Sequence, residues 1–304
     1  MATAGLPAPQ DPCLNRTVLA NVLTPDGTQV RSLVAANFRA TLRGQPVDIE
    51  SGGYNIGDRR VVVLLDVSAS MVSDRSKLEA STTFSGNLLS STPLLVSFAL
   101  LTFTDRVEDE VNFGQGRRAV SDELAKVDTT NWERVKRDHK TAWLDTVLEA
   151  LRRLEPPRRG DAICLITDGV DNASNTHPTQ VRKALLRSGV RLFGLLIADP
   201  SFPGRDLVQE GFGFPEDLRG LVVDSGGSIM TLTYPDPTAP RRPWSQAMLS
   251  YARQLGVEIS EFYELNLTLP GPLSKPREWK LEVVDSKVNK HLQIVYPRQL
   301  ASCN

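Results

Sequence analysis

Residues 61–67 read VVVLLDV, an apolar and largely β-branched run with one carboxylate near its end. Such a run is typical of a strand buried on both faces, as found in parallel sheets covered by helices. Further apolar runs alternate with helical patterns through the middle of the chain, and this alternation indicates the same architecture. The sequence therefore predicts an α/β core with a doubly wound, mostly parallel central sheet.

The alternation gives boundaries for this core. The predicted strands cover residues 61–67, 94–104, 162–167, 190–198 and 228–233. The predicted helices cover residues 76–90, 120–127, 142–154, 178–188, 215–223 and 244–255. Ser76 and Glu79 form a predicted capping box at the start of the first helix. Pro178 and Gly189 are placed to begin and end the helix over residues 178–188.

The two ends of the chain have a different pattern, which alternates like half-exposed antiparallel strands. The expected strands cover residues 17–23, 29–33, 38–42, 47–51, 263–269, 279–284 and 292–296. The first two are expected to form one hairpin, and the next two another. We predict that residues 1–56 and 259–304 together build a β-rich, sandwich-like module, and that residues 57–258 form the α/β domain between them.

Charge and hydropathy exclude several classes of protein. The 35 Lys and Arg residues nearly balance the 36 Asp and Glu residues, so the formal net charge is −1. This lacks the basic excess typical of a nucleic-acid-binding protein. No apolar stretch reaches the roughly 18 residues that a membrane-spanning helix needs. The first residues also lack the charged and apolar regions of a signal peptide.

Three cysteines are too few for a disulfide framework or a four-cysteine zinc site. Cys164 lies in the middle of a predicted strand and is expected to be a core residue. Cys13 and Cys303 belong to the two terminal segments. If the ends of the chain pair, these two residues could form a disulfide in an oxidising compartment; otherwise they are free thiols.

Carboxylates and hydroxyls collect in three loops of the predicted core: after its first strand, before the helix over residues 142–154, and after the strand over residues 162–167. These residues are Asp66, Ser68, Ser70, Thr141 and Asp168. In an open parallel sheet the carboxyl ends of the strands face one crevice, where ligands bind. Oxygen ligands suit a hard divalent cation such as Mg²⁺.

The pattern Asp66-x-Ser68-x-Ser70, followed by Thr141 and Asp168-Gly169, resembles the metal-ion-dependent adhesion site of von Willebrand factor type A (VWA) domains. The resemblance implies a Rossmann-like fold and a bound Mg²⁺, Mn²⁺ or Ca²⁺ ion. It implies that the two serines and the threonine hold the ion, with the two aspartates near it or bridging through water. It also implies an open coordination position, which a Glu or Asp of a partner protein fills.

Two positions depart from the usual VWA pattern. Ala69 replaces a glycine that is common inside the first loop, and His139-Lys140 replaces a glycine pair that often precedes the threonine. A lysine at position 140 is expected either to lower the affinity for metal or to attract an acidic partner.

The flanking segments resemble a bacterial group of "VWFA-related" proteins that is common in acidobacteria. The segments that carry this resemblance are Thr24-Pro25-Asp26-Gly27, residues 33–38, Gly44-Gln45-Pro46, Phe262-Tyr263-Glu264-Leu265 and residues 279–283. Proteins of this group are mostly exported, which implies an extracellular, periplasmic or cell-surface location.

The function expected from these residues is a metal-dependent protein-binding module of the adhesion type, without enzymatic activity. One alternative is a metal-dependent hydrolase that uses the paired aspartates, for which His139 is the candidate base. A second alternative is a VWA scaffold whose metal is purely structural. Asp171 and Asn172 are expected to be turn residues; the alternative is that they support the metal ligands or are themselves further calcium ligands.

Overall fold

The computed structural model describes residues 11–129, 140–198, 215–233, 242–284 and 291–303. The chain divides into two compact units. One unit holds the described residues up to Asn55 together with those from Phe262 onward, and the other spans Ile56–Glu261. We call them the terminal unit and the central unit. His139, the candidate base of the hydrolase alternative, lies outside the described residues.

Strands and helices are numbered here in chain order. The strands are β1 (Asn15–Leu23), β2 (Phe38–Leu42), β3 (Gln45–Ile56), β4 (Arg59–Asp66), β5 (Val96–Phe103), β6 (Val107–Val111), β7 (Ala162–Thr167), β8 (Arg191–Ala198), β9 (Ile229–Thr233), β10 (Glu261–Thr268), β11 (Arg277–Val283), β12 (Gln293–Val295) and β13 (Gln299–Leu300). The α-helices are α1 (Ala69–Val72), α2 (Arg75–Ser91), α3 (Gly116–Thr129), α4 (Trp143–Arg153), α5 (Pro178–Ser188), α6 (Pro215–Ser225) and α7 (Arg242–Ser260).

The terminal unit is a curled antiparallel sheet of seven strands in the order β12-β1-β10-β3-β2-β11-β13. It joins strands from both ends of the chain, since β1 pairs with β10 from Asn15 opposite Thr268 to Ala20 opposite Tyr263. Tyr263 is fully buried, and its hydroxyl donates to the carbonyl of Val30 at 2.7 Å. The strands from both ends of the chain do form one β-rich module, but the described strands form a single curled sheet and not a sandwich of two sheets.

One of the two expected hairpins is wrong. Residues 29–33 do not form a strand. The chain does turn back at Thr24–Thr28, but its pairing with β1 is limited to an isolated bridge between Leu23 and Gln29 and a hydrogen bond of 2.8 Å from the N–H of Val30 to the carbonyl of Val22. The reason is that strands from the other end of the chain occupy both edges of β1, with β10 on one side and β12 on the other. The second hairpin is confirmed, because β2 and β3 pair antiparallel with Ala40 opposite Val47.

A disulfide links Cys13 to Cys303, whose Cα atoms are 5.1 Å apart. It closes the terminal unit across a sequence separation of 290 residues. The structure thus confirms the disulfide rather than the free thiols. Cys164 is a free, buried cysteine on β7, as the sequence predicts.

The central unit contains a six-stranded sheet in the order β6-β5-β4-β7-β8-β9. Neighbouring strands are parallel, except that β6 runs antiparallel to β5. The chain first adds strands on one side of β4 and then crosses to add β7, β8 and β9 on the other side. The junction between β4 and β7 is therefore the point where the strand order reverses, which is where ligands bind in open α/β sheets.

Helices cover both faces of the central sheet. Along β4 the side chains alternate, so that Val61, Val63 and Leu65 pack into one core and Val62 and Leu64 into the other. The first core includes residues of α1, α2, α3 and α7, and the second includes residues of α4, α5 and α6. The doubly wound α/β prediction is confirmed at this level.

The start of α2 differs from the prediction. Asp74, and not Ser76, is the N-cap residue, and its carboxylate accepts from the backbone N–H of Ser76 at 3.0 Å. The hydroxyl of Ser76 donates to the same carboxylate at 2.6 Å. Aspartate caps helices as well as serine does, and Asp74 lies two residues before Ser76, so the helix begins earlier than predicted.

None of the helices in the described ranges combines the length and the hydropathy of a membrane span.

Candidate metal centre

Two carboxylates lie at the junction between β4 and β7. Asp66 is the last residue of β4, and Asp168 directly follows β7. The two strands are parallel neighbours, with Leu65 opposite Ile166. The two strands therefore bring these aspartates together at the carboxyl-terminal end of the sheet, which we call the sheet edge, as the sequence predicts.

Asp66 is fully buried and is held at both carboxylate oxygens. Its Oδ1 accepts from the backbone N–H of Ser68 at 2.8 Å, and its Oδ2 accepts from the hydroxyl of Thr167 at 2.6 Å. Burial, together with the negative charge of Asp168, raises the pKa of Asp66 to about 7. Desolvation and the neighbouring negative charge thus both disfavour the ionised form of Asp66.

The two candidate serine ligands follow Asp66 closely in the sequence. Ser68 is buried and is the N-cap residue of α1, but its side chain makes no capping hydrogen bond. Its Oγ lies 3.3 Å from Oγ of Ser70, which is exposed. The loop therefore presents two adjacent hydroxyl oxygens, one on the buried Ser68 and one on the exposed Ser70.

Asp168 carries the clearest anomaly of the site. Its side chain is only 9% exposed, and its Oδ2 lies 3.6 Å from Nζ of Lys77. Its Oδ1 is buried and accepts no hydrogen bond within the described residues. A buried carboxylate oxygen without a donor is costly, because it has lost its water and gained nothing in exchange. Among the described residues this oxygen has no hydrogen-bond partner, so it is available as a metal ligand.

Thr141 is buried and comes just before α4. Its backbone N–H donates to Oδ1 of Asn172 at 2.8 Å, and its carbonyl accepts from the N–H of Asn172 at 3.0 Å. The next residue, Ala142, donates its N–H to the carbonyl of Thr104 at 2.9 Å. The threonine loop is thereby fastened both to the loop that begins at Asp168 and to the end of β5.

Asp171 is a structural residue in this loop. Its Oδ2 accepts from the backbone N–H of Leu144 at 2.9 Å and from the hydroxyl of Ser174 at 2.8 Å. Its Oδ1 accepts from the N–H of Ser174 at 3.0 Å. Both oxygens are committed to the start of α4 and to a turn, which confirms the turn interpretation for this residue. Asn172 takes part in the same scaffold by holding Thr141.

The donors at this site fit a hard divalent cation. They are carboxylate and hydroxyl oxygens, which Mg²⁺ and Ca²⁺ prefer, and one of them is the buried Oδ1 of Asp168 that lacks a donor. Among the described residues, no group of three or more His, Cys, Asp and Glu side chains is placed to hold a metal. An ion at this site would therefore depend on the serine and threonine hydroxyls, as the VWA pattern requires.

Sequence reasoning missed two residues of the site. Thr167, which bonds to Asp66, was interpreted only as the last residue of a strand. Lys77 lies on the same helical face as Ser81, Phe84 and Leu88, all of which are buried. A lysine on the buried face of a helix was the signal that could have found it. Lys140, the lysine expected beside the site, is exposed.

Residues 61–170 match a family model described as the von Willebrand factor type A domain. The match includes the five candidate metal ligands and confirms the VWA resemblance for this part of the chain. No curated protein sequence matches the chain.

Several solved structures have a similar fold at low sequence identity. Human COPII-coat protein Sec24c is 9% identical over 83% of this chain and 46% of that chain, with a TM-score of 0.48. A von Willebrand factor type A protein from Catenulispora acidiphila is 11% identical over 96% of this chain and 75% of that chain, with a TM-score of 0.46. The conserved hypothetical protein BatB from Bacteroides thetaiotaomicron is 16% identical over 65% of this chain and 98% of that chain, with a TM-score of 0.42. The chain spans less than half the length of the Sec24c chain.

Proposed function

With a von Willebrand factor type A domain within residues 61–170 as the premise, we propose that this chain is a metal-dependent protein-binding module of the adhesion type. The observation that carries the proposal is the buried Oδ1 of Asp168, which lacks a hydrogen-bond donor among the described residues. It lies at the sheet edge that Asp66 and the two serine hydroxyls share. A cation would give this oxygen the partner that it lacks.

Each residue has a proposed role. Ser68, Ser70 and Thr141 hold a Mg²⁺ ion, or Mn²⁺ or Ca²⁺ in its place, and Asp66 and Asp168 balance its charge directly or through water. When bound, the ion supplies a coordination position that accepts a Glu or Asp side chain of a partner protein. Thr167 and Asn172 position Asp66 and Thr141 through the hydrogen bonds described above.

The structure supports binding over hydrolysis. A hydrolase would need a base within reach of the reacting water. The side chains that form described hydrogen bonds or ion pairs with the five candidate ligands are serine, threonine, asparagine and lysine groups, with no histidine or cysteine among them. Asp66 is held at both oxygens, which leaves it poorly placed to move during a proton transfer. We therefore propose that the chain is not an enzyme.

The proposed location is extracellular, periplasmic or at the cell surface. The disulfide between Cys13 and Cys303 supports this, because structural disulfides persist in oxidising compartments. It also agrees with the proposed relation to the bacterial VWFA-related group, whose members are mostly exported.

Metal binding is tested by calorimetric titration of Mg²⁺ and Mn²⁺ into the wild type, Asp66→Ala and Asp168→Ala, each freed of metal with a chelator. Thermal unfolding is measured on the same samples. Binding only to the folded state adds about 2.7 kcal/mol at a hundredfold excess over the dissociation constant. We expect metal to stabilise the wild type by this amount and to have no such effect on either variant. Equal melting temperatures with and without metal in all three proteins would refute the metal site.

Partner binding is tested with immobilised wild type and Thr141→Ala in Mg²⁺ or in chelator, with the captured proteins identified by mass spectrometry. A partner that uses the open position is retained only by the wild type in Mg²⁺. Purified partner in which each Glu and Asp of its contact region is changed to the amide then identifies the ligating side chain. Retention by both proteins under both conditions would leave the metal with a structural role, which is the rival function.

A further inference from the structure

Lys77 brings a positive charge into the candidate metal centre. Its side chain is 7% exposed, and its Nζ lies 3.6 Å from Oδ2 of Asp168. The same Nζ donates to the backbone carbonyl of Ser70 at 3.4 Å. The ammonium group therefore contacts both the loop that carries the serines and the aspartate that directly follows β7.

The position of Lys77 in its helix is unfavourable for a cation. It lies in the first turn of α2, three residues after the N-cap residue Asp74, where the unpaired backbone N–H groups already give the helix a partial positive charge. It is also buried, and desolvation disfavours a charged lysine. Favourable contacts therefore have to offset both costs, and the carboxylate of Asp168 supplies one of them.

Lys77 acts on the same charges that a metal ion would balance. The buried pair of Asp66 and Asp168 has a concentrated negative charge at the sheet edge, and the ammonium neutralises part of it. A divalent cation bound to the same oxygens would lie close to this ammonium, and like charges repel strongly where water is largely excluded. The ion therefore has to overcome the attraction between Lys77 and Asp168 before it gains the full attraction of the carboxylates.

On the basis of the proposed function, we infer that Lys77 is a built-in competitor of the divalent cation. In the metal-free protein its ammonium group stabilises the carboxylates, and this same contact lowers the affinity of the site for metal. The site is therefore weaker than the two aspartates alone would make it, and it fills only where the divalent cation is abundant. This assigns to Lys77 the role in metal affinity that the sequence suggested for Lys140.

The test is calorimetric titration of Mg²⁺ and of Mn²⁺ into the wild type, Lys77→Met and Lys77→Arg at one pH and ionic strength. Methionine keeps the unbranched stem and removes the charge, whereas arginine keeps the charge. We expect Lys77→Met to bind Mg²⁺ at least tenfold more tightly than the wild type, and Lys77→Arg to stay within threefold of it. Lys77→Gln serves as a second neutral variant if the methionine variant does not fold.

Two matched variants remove one lysine charge elsewhere. Lys140→Met removes the exposed charge next to Thr141, and Lys183→Met removes an exposed charge on α5, which packs on the opposite face of the sheet. Both are expected to bind Mg²⁺ within twofold of the wild type. A tenfold gain in either of them would overturn the role of Lys77, because the effect would then follow net charge.

A second readout is thermal unfolding in chelator and in saturating Mg²⁺. The neutral variant is expected to melt below the wild type in chelator and to gain more from Mg²⁺ than the wild type does. Equal or weaker Mg²⁺ binding by Lys77→Met, with normal binding by the wild type, would overturn the competitor role and leave the proposed function standing. Absence of binding in every protein would overturn both. Binding by Lys77→Met alone would support the competitor role in its strongest form.

Discussion

The hydroxyl of Thr167 donates a hydrogen bond of 2.6 Å to Oδ2 of Asp66, and so joins the ends of two neighbouring parallel strands. The same oxygen of Thr167 accepts from the backbone N–H of Gly169 at 3.0 Å. One hydroxyl group therefore holds the carboxylate at the end of β4 and also shapes the loop at Asp168 and Gly169, directly after β7.

Replacing Thr167 by valine keeps the shape of the side chain and removes both hydrogen bonds. We expect a loss of about 1–3 kcal/mol in the free energy of unfolding, since a buried carboxylate loses a donor. We also expect weaker Mg²⁺ binding, because Asp66 is no longer held in place. Urea denaturation in chelator and Mg²⁺ titration measure the two effects.

Thr146→Val is the matched control for this change. Thr146 is also buried, but its hydroxyl donates to the carbonyl of Ala142 inside helix α4 at 2.8 Å. It should leave Mg²⁺ affinity unchanged. If Thr167→Val binds Mg²⁺ as tightly as this control does, the hydrogen bond to Asp66 does not position the carboxylate for metal.

Replacing Asp171 by alanine removes the three hydrogen bonds that its carboxylate accepts from Leu144 and Ser174. The first turn of α4 and the adjoining loop then lose their acceptor, so we expect a loss of about 1–3 kcal/mol of stability. Asp122→Ala, which removes an exposed carboxylate from α3, should change stability by less than about 0.5 kcal/mol. Equal urea midpoints for the two variants would contradict the structural role of Asp171.

Removing the disulfide with the double change Cys13→Ser and Cys303→Ser is expected to destabilise the terminal unit by roughly 2–5 kcal/mol. The unfolded chain gains freedom, because a link across a sequence separation of 290 residues is lost. Hydrogen exchange should show faster opening of β1 and β10 in this variant. A thiol reductant should lower the melting temperature of the wild type and leave that of the double variant unchanged, because the variant has no disulfide to reduce. Cys164 is present in both proteins and so does not affect the comparison.

Glu258 gives a prediction for pH. It is buried near Arg191, Tyr251 and Gln254, and burial raises the pKa of its carboxyl group above the usual value of 4.5. A carboxyl whose pKa is raised on folding stabilises the protein while it is protonated. That contribution is complete below pH 4.5 and is lost as the pH rises through the pKa of the folded state.

Glu258→Gln should therefore flatten the decrease in unfolding free energy that the wild type shows as the pH rises above 4.5. The slope with pH is the readout, because the substitution also changes the surroundings of the buried Arg191. Glu79→Gln, at an exposed position of α2, should keep the slope of the wild type. A slope for Glu258→Gln equal to that of Glu79→Gln would contradict the raised pKa.

Gly227 allows a packing prediction with a built-in contrast. A Cβ atom at this position would lie 1.8 Å from the backbone carbonyl oxygen of Leu192, so Gly227→Ala forces the backbone apart and should cost more than about 3 kcal/mol. Gly86 lies inside α2 with nothing within 4 Å of an added Cβ. Gly86→Ala should therefore stabilise the protein by about 0.5–1 kcal/mol. Opposite shifts in melting temperature check both claims.

The sequence predicted best where local chemistry decides the structure. The strand β7 and the helix α5 have the predicted boundaries, because an apolar run is bounded by polar turns and a helix by Pro178 and Gly189. The approach of Asp66 and Asp168 was also predictable, since neighbouring parallel strands bring their carboxyl ends together. Pairing at a distance was not predictable. The strand expected over residues 29–33 is absent, because strands from the far end of the chain take its place beside β1.

The same limit applies to the candidate site. Lys77 is ninety-one residues before Asp168 in the sequence, and their contact at 3.6 Å depends on how α2 packs against the sheet. Thr167 could be placed next to Asp168 from the sequence, but its hydrogen bond to Asp66 depends on the registration of β4 with β7. Residue types and spacing thus indicated which groups could bind a metal, whereas the groups that control them came only from the packing.

The disulfide between Cys13 and Cys303 also determines how the molecule carries mechanical load. A pulling force applied to the chain outside the two cysteines passes through the covalent bond and does not stretch the hydrogen bonds between β1 and β10. The segment between the cysteines is a closed covalent loop, so a protease that cuts one peptide bond within it leaves a single linked molecule. A force applied to the ends of the chain is therefore not carried by the folded segment between the two cysteines.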